Sequence, residues 1–191
     1  MIVFINGTYG VGKTTTGRCL INSFIGGDSV LYDADYSVVK EINIERFNHF
    51  FKLYGWECTA SPAYLEVARK NIESLLVNHE TVIVPMTLAH ENGKKYIIDH
   101  FLAMDVAMEH FILEADKLTT IMRIAGHEER DQELALKWLD ANTEFLKANY
   151  SDAVRINTEY QTPYNVAKRI AETLNPYEFY DNEWWQYGAG S

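Results

Sequence analysis

Short β-branched runs alternate along this chain with longer stretches whose apolar residues recur every three or four positions, and that alternation predicts its elements. Met1 to Ile5 is an unbroken apolar run and reads as a first strand. Lys13 to about Phe24 follows as a helix, with Leu20, Ile21 and Phe24 on one side and Gly17 small enough to pack closely on a sheet. Gly26-Gly27-Asp28 ends it. Ser29 to Asp33 predicts a second strand that delivers Asp33, and two residues later Asp35, to a strand's carboxyl end. Tyr36 to about Phe51 has only rough helical spacing, through Val38, Val39, Ile42, Phe47, Phe50 and Phe51. Ser61-Pro62 predicts a helix start with a capping hydroxyl, and Leu65, Ala68, Ile72, Leu75 and Leu76 form its apolar stripe. Thr81 to Met86 has the continuous β-branched character of a buried parallel strand, with Pro85 near its end.

The second half continues in the same rhythm. His90 to Leu102 predicts a helix through Ile97, Ile98, Phe101 and Leu102, and Val106 to Leu113 a fourth strand. Lys117 to about Gly126 and Gln132 to about Ala148 predict two further helices. The second is striped by Leu134, Trp138 and Phe145 beside Ala135, Leu139 and Leu146. Ala153 to Asn157 is a short fifth strand, and Thr162-Pro163 caps a last helix carrying Val166, Ile170 and Leu174. Strands alternating with helices imply an α/β fold: a single three-layer domain, a mainly five-stranded parallel sheet with helices on both faces and right-handed crossovers. The domain is expected to span residues 1–175, followed by an acidic aromatic tail over 176–191 (PYEFYDNEWWQYGAGS). That tail reads either as aromatics docked on the body or as a lid or partner segment.

Composition narrows the class. At 191 residues, 47% hydrophobic and 23% charged, the chain has the balance of a globular domain with a substantial core. A formal charge of -10 argues against a broad nucleic-acid footprint, which needs clustered lysine and arginine. Cys19 and Cys58 show no metal or redox spacing, and the six histidines show no zinc pattern. The first apolar run is too short for a signal peptide or membrane span and leads straight into a glycine-rich segment, so a cytoplasmic protein is expected.

That segment, Ile5-Asn6-Gly7-Thr8-Tyr9-Gly10-Val11-Gly12-Lys13-Thr14-Thr15, fits G-x-x-x-x-G-K-[ST] in its required context: a strand, a glycine turn, then a helix. Glycines at 7, 10 and 12 permit backbone angles closed to other residues and keep side chains out of an anion's way. Successive N–H groups can then turn inward, reinforced by the positive end of the following helix. The chemistry this motif carries is triphosphate binding, with backbone N–H groups of Thr8, Tyr9, Gly10, Val11 and Gly12 around the phosphates. Lys13 reaches the β- and γ-phosphates, and Thr14 offers its hydroxyl to Mg²⁺. Thr15 suits an α-phosphate oxygen, or is simply a first-turn helix residue.

The loop, the Tyr32-Asp33 strand end, the segment Ile83-Val84-Pro85-Met86-Thr87 and the stretch from Lys117 to Arg123 together resemble the bacterial tunicamycin-resistance protein family. That family lies within the P-loop nucleoside and nucleotide kinase-like group, and the similarity runs through most of residues 1–174. Two positions depart from the family's pattern: Asp33-Ala34-Asp35 stands where relatives carry an acidic motif with proline, and His127 where they carry a second arginine. The resemblance implies ATP binding, a kinase-like core and a small-molecule ligand; ATP rather than GTP rests on it alone. It also implies that Arg123 faces the adenine or phosphates and that Arg130 supplies a cation from a lid. Surface salt bridging with Glu128, Glu129 and Asp131 is the alternative for both.

Phosphoryl transfer needs an oriented acceptor hydroxyl, neutralised charge and excluded water. Asp33 is the candidate base, or else a cap for the next helix; Asp35 is a candidate second carboxylate acting through Mg²⁺-bound water. The third strand ends without the usual Walker-B aspartate, so the metal would rely on Thr14, phosphates and waters. Thr87 reads as a hydrogen-bond donor to a ligand or as a helix cap, and the backbone near Asn157-Thr158 as an edge for a base. Phe47, Phe50, Phe51, Tyr54 and Trp56 form either an apolar acceptor lining or core packing. Three functions remain open on these residues: an ATP- and Mg²⁺-dependent small-molecule phosphotransferase, a nucleotide-dependent protein that sequesters tunicamycin or a similar compound, and an NTPase switch. The oligomeric state is not encoded in any of these motifs.

Overall fold

The structure is a computed structural model that describes residues 1–41, 60–126 and 132–175. Strand β1 (Ile2–Gly7) runs into helix α1 (Lys13–Ser23), then β2 (Ser29–Leu31) and α2 (Ala34–Glu41). After α3 (Pro62–Asn78) and β3 (Thr81–Pro85) comes a composite helix α4, built from Glu91–Gly93, a π-helical turn over Lys94–Ile98 and Asp99–Ala103. Strand β4 (Met108–Glu114), α5 (Lys117–Ala125), α6 (Gln132–Asn149), β5 (Val154–Asn157) and α7 (Pro163–Leu174) complete the described chain. No described helix is long and apolar enough to cross a membrane.

The five strands form one parallel sheet in the order β2-β3-β1-β4-β5. Strand β1 is central because it can be: every one of its residues from Ile2 to Gly7 is buried, and its side chains feed both faces alternately. Ile2 and Phe4 join Val82, Val84 and Ile112 beneath α3, α4 and α6, against Leu65, Ile72, Ile97, Phe101 and Leu146. Val3 and Ile5 join Ile83, Phe111 and Ile156 beneath α1 and α7, against Leu20, Val166 and Ile170. Full burial of side chains this size is worth about 1.5–3 kcal/mol each, so a one-residue slip of β1, which exchanges the two sets, is strongly disfavoured. Gly17 allows α1 to sit close on the sheet: a Cβ there would lie 2.9 Å from Leu31 Cδ1.

Several expectations change in detail. Strand β2 is shorter than Ser29 to Asp33; Tyr32 still donates its N–H to the Ile83 carbonyl at 2.9 Å, but Asp33 falls in the turn before α2, which starts at Ala34 rather than Tyr36. Ser61 occupies the N-cap position of α3, yet its hydroxyl makes no cap bond and has no hydrogen-bond partner among the described residues. In α4 the capping group is His90, whose Nδ1 accepts from Gly93 N–H at 3.1 Å, and not Thr87. The π turn also changes which residues point inward. Ile97, Ile98 and Phe101 reach the core, and Leu102 is left 59% exposed, against its expected place in the stripe. The α3 stripe behaves as its spacing predicts, with Leu65, Ala68 and Ile72 buried and Leu75 and Leu76 packed at the margin. Thr162 caps α7 by accepting from Asn165 N–H at 3.2 Å.

Candidate active site

All five strands point their carboxyl ends the same way, so the β1–α1 loop, the segment after β3, the end of β4 and the β5–α7 turn meet at one edge. The loop between β1 and α1 has three glycines with positive φ: 143° at Gly7, 81° at Gly10 and 91° at Gly12. Each is glycine for its own reason. A Cβ at Gly7 would lie 2.5 Å from the Leu113 carbonyl oxygen, because β4 pairs with β1 up to that residue. One at Gly10 would lie 3.0 Å from Ile124 Cγ1 and 3.3 Å from the Thr120 carbonyl, so the loop is packed against α5. One at Gly12 would meet nothing within 4 Å; there the requirement is conformational, since Gly12 is the left-handed N-cap of α1.

Helix α1 begins without a side-chain cap, which leaves N–H groups of its first turn available at the loop. Lys13 Nζ donates to the Thr8 carbonyl at 2.8 Å and lies 5.8 Å from the Tyr9 ring centroid. Thr14 is half-buried, Thr15 is exposed, and Thr8 and Val11 are buried. Thus Gly7 to Thr15 form one cradle of backbone donors with an ammonium beside it, a donor set that fits phosphate.

A cleft of about 290 Å³ opens from this cradle, lined by Gly10, Gly12, Thr15, Arg123, Thr158 and Gln161, with Pro163 and Val166 as an apolar wall. Helix α5 places Arg123. Its N-cap Asp116 accepts from Thr119 N–H at 2.6 Å, and that bond is the main cause holding the Asp116 carboxyl below the usual range. One turn from the other end, Arg123 donates to both Thr158 Oγ1 and the Thr158 carbonyl at 2.8 Å. Thr158 is itself fixed, its N–H and hydroxyl both donating to the Glu114 carbonyl, at 2.8 and 3.2 Å. Gln161 donates Nε2 to the Asn157 carbonyl at 2.6 Å, closing the turn between β5 and α7.

Beneath the loop lies a polar group inside an apolar strand. Asn6, 1% exposed, accepts on Oδ1 from Gly7 N–H at 2.8 Å and from Leu88 N–H at 2.9 Å. Its Nδ2 lies 3.5 Å from the Leu88 carbonyl and 3.3 Å from His110 Nε2. Tyr150 donates its hydroxyl to the same Leu88 carbonyl at 2.7 Å, and its ring stands edge-on to the His110 ring, centroids 4.8 Å apart. Burial, helped by the positive charge of Arg155, pushes the His110 imidazole down to about 4. Burial, with the charges of Asp99 and Glu91, pushes the Tyr150 phenol up. Sequence reading passed over Asn6, His110 and Tyr150. The available signal was a polar residue interrupting the apolar run of β1 immediately before Gly7.

Asp33 sits where its helix-cap reading places it. Its Oδ1 accepts from Tyr36 N–H at 3.3 Å, which caps α2, and its Oδ2 lies 4.0 Å from Arg18 Nη2. Asp35 stands on the first turn of α2 with its side chain outside the described set, and Arg130, His127, Cys58, the aromatic group Phe47 to Trp56 and the tail 176–191 lie outside the described residues. Among the described residues no group of three or more His, Cys, Asp or Glu side chains is placed to hold a metal ion.

No family model matches the chain, and no curated protein matches it in sequence. Its fold is that of the P-loop kinases. The tunicamycin resistance protein of Deinococcus radiodurans superposes with a TM-score of 0.66 at 14% identity, over 91% of this chain and 95% of that one. Shikimate kinase from Acinetobacter baumannii superposes at 0.59 with 17% identity, over 91% and 92%. Deoxyadenosine kinase from M. mycoides does so at 0.56 with 19% identity, over 92% and 100%. Identities this low establish a shared fold, and function has to be argued from the site.

Proposed function

We propose that this protein is an ATP- and Mg²⁺-dependent phosphotransferase acting on a small-molecule acceptor. The observation that carries the proposal is the continuity of the glycine cradle with the Arg123–Thr158–Gln161 cleft. Phosphates fit the backbone donors between Gly7 and Thr15, while a flat, partly apolar base fits between the Arg123 side and the Pro163–Val166 wall. The structural likeness to kinases of nucleosides and small metabolites supports the reaction class. The likeness to a tunicamycin resistance protein, together with the sequence resemblance to that family, supports an acceptor of antibiotic or nucleoside-like chemistry.

The residues then take distinct roles. Lys13, an ammonium with three donors, exchanges its bond to the Thr8 carbonyl for β- and γ-phosphate oxygens. Thr14 would hold Mg²⁺ through its hydroxyl, with Asp35 acting through bound water, and the metal would supply charge neutralisation at the phosphate oxygens. Arg123 and Thr158 hold the nucleotide end of the cleft. Asp33 orients the acceptor hydroxyl and takes its proton as the γ-phosphoryl group passes to that oxygen and the nucleoside diphosphate leaves, and Arg130 adds positive charge over the γ-phosphate.

The deciding experiment is mass spectrometry of γ-phosphate transfer from ATP into a panel of nucleosides, aminoglycosides and nucleoside antibiotics including tunicamycin, with Lys13→Ala as the control. A phosphorylated product that disappears in the control is the expected result. Tight, ATP-dependent binding of a panel compound without any phosphorylated product would replace transfer by sequestration.

A further inference from the structure

We infer that Asn6 is the positioning residue of the phosphate loop: its side-chain amide sets the loop's first N–H and the segment after β3 in one frame, with His110 fixing which way round the amide sits. The inference rests on the nucleotide-binding reading of the loop but concerns residues outside the motif itself.

The argument begins with hydrogen-bond bookkeeping. Two backbone N–H groups, from Gly7 and Leu88, converge on one side-chain oxygen at 2.8 and 2.9 Å, so the group they meet must be Oδ1 and the other must be the amide nitrogen. The nitrogen is a donor only. The His110 Nε2 that lies 3.3 Å from it must therefore be the unprotonated, accepting nitrogen of a neutral imidazole. Rotating the amide by half a turn would set the NH₂ against two N–H groups and the oxygen against the ring's lone pair. Both backbone contacts would become repulsive and the ring would have to move its proton to Nε2, so the present orientation is favoured at both ends.

Placement gives this consequence. Gly7 is the first fixed glycine of the loop, with a φ of 143°, and its N–H is held by Asn6 Oδ1. Leu88 follows Thr87 on the segment leaving β3, 82 residues away in sequence, and its carbonyl is further held by Tyr150 at 2.7 Å. At 1% exposure Asn6 has no water to replace these bonds. One side chain thus couples the phosphate cradle to the segment that carries Thr87, which stands at the same sheet edge. Backbone pairing of β1 with β3 stops short of this: its register ends at Ile5 opposite Pro85, with a last bond from Met86 N–H to the Ile5 carbonyl at 3.2 Å, and Asn6 carries the connection on to Leu88.

The test uses the full chain. ATP affinity with Mg²⁺ is measured by calorimetry at a temperature where each variant is folded, alongside its melting temperature. Asn6→Leu, near in shape but unable to hydrogen-bond, is expected to weaken ATP binding about tenfold or more, since it leaves two buried N–H groups unpaired. His110→Phe, which keeps a ring in place but removes the acceptor, is expected to weaken it about threefold by releasing the amide's orientation. The double variant should be no weaker than Asn6→Leu alone, because His110 acts only through Asn6. Multiplying losses in the double variant, or unchanged affinity in both single variants with only the melting temperature reduced, would overturn the inference and leave nucleotide binding intact. A natural protein that binds no ATP would overturn the nucleotide reading and this inference with it. If Asn6→Leu does not fold, His110→Phe decides: it should accelerate hydrogen exchange at the Gly7 and Leu88 amides together with the affinity loss, and neither change overturns the proposal.

Discussion

Arg123 donates from both terminal guanidinium nitrogens to Thr158, one to the hydroxyl and one to the carbonyl, each at 2.8 Å. The pair joins the end of α5 to the β5–α7 turn, and both residues line the cleft beside the glycine loop. A planar fork presents a separate nitrogen to each acceptor in fixed geometry, which the single, freely rotating ammonium of a lysine does not reproduce. Arg123→Lys should therefore weaken ATP binding by about tenfold despite keeping the charge. Thr158→Val, which removes only the hydroxyl, should cost about threefold. Titration calorimetry of the two variants separates these effects, and equal affinity in Arg123→Lys and the natural protein would remove the clamp from the site.

The three loop glycines should differ in what alanine does to them. At Gly12 a Cβ has open space and only the left-handed backbone to oppose it, which costs about 1–2 kcal/mol. Gly10→Ala adds a contact at 3.0 Å with Ile124, and Gly7→Ala a collision at 2.5 Å with the Leu113 backbone, which no side-chain rotation relieves. Urea unfolding should rank the losses Gly7→Ala, then Gly10→Ala, then Gly12→Ala.

The Asp33 carboxylate can be divided into its two roles. Asparagine caps a helix as well as aspartate does, so Asp33→Asn should leave stability within about 0.5 kcal/mol, whereas Asp33→Ala should lose about 1 kcal/mol. If Asp33 is the base, Asp33→Asn keeps ATP affinity and loses phosphate transfer, while Lys13→Ala loses ATP affinity or turnover. Full transfer by Asp33→Asn would leave the residue as a helix cap.

Acid should destabilise this fold through His110. The folded imidazole is held down to about 4 by burial and Arg155, against 6.5 in the unfolded chain, so the unfolded state takes up the proton first. Its contribution to stability is whole above pH 6.5 and is lost as pH falls toward 4. Between pH 7.5 and pH 5 the loss amounts to about 2 kcal/mol. Urea denaturation at the two values, compared with His110→Phe, isolates this part from the carboxylates. An identical pH dependence in that variant would assign the loss elsewhere.

The elements themselves were legible because they follow from period and composition. Met1 to Ile5 and Val82 to Met86 are apolar throughout, and a strand buried on both faces needs that. Leu65, Ala68 and Ile72 recur at helical spacing and are buried together. Where local reading failed, the outcome turned on backbone geometry that residue type and spacing do not specify. The π turn over Lys94–Ile98 moves Leu102 outward although its spacing suits the stripe, and Ser61 makes no cap bond although its residue type suits one.

The same division holds at the site. By itself the sequence determined the glycine cradle, because Gly7, Gly10, Gly12, Lys13 and Thr14 lie within one short segment and its shape depends on local backbone angles and on the helix that follows. Only the tertiary structure decided what surrounds it. Arg123 meets Thr158 from 35 residues away and Asn6 meets Leu88 from 82, distances over which no periodicity or motif carries information. Those partners are set by strand order in a parallel sheet, which brings every strand's carboxyl end to one edge and leaves the side chains there to find each other across it.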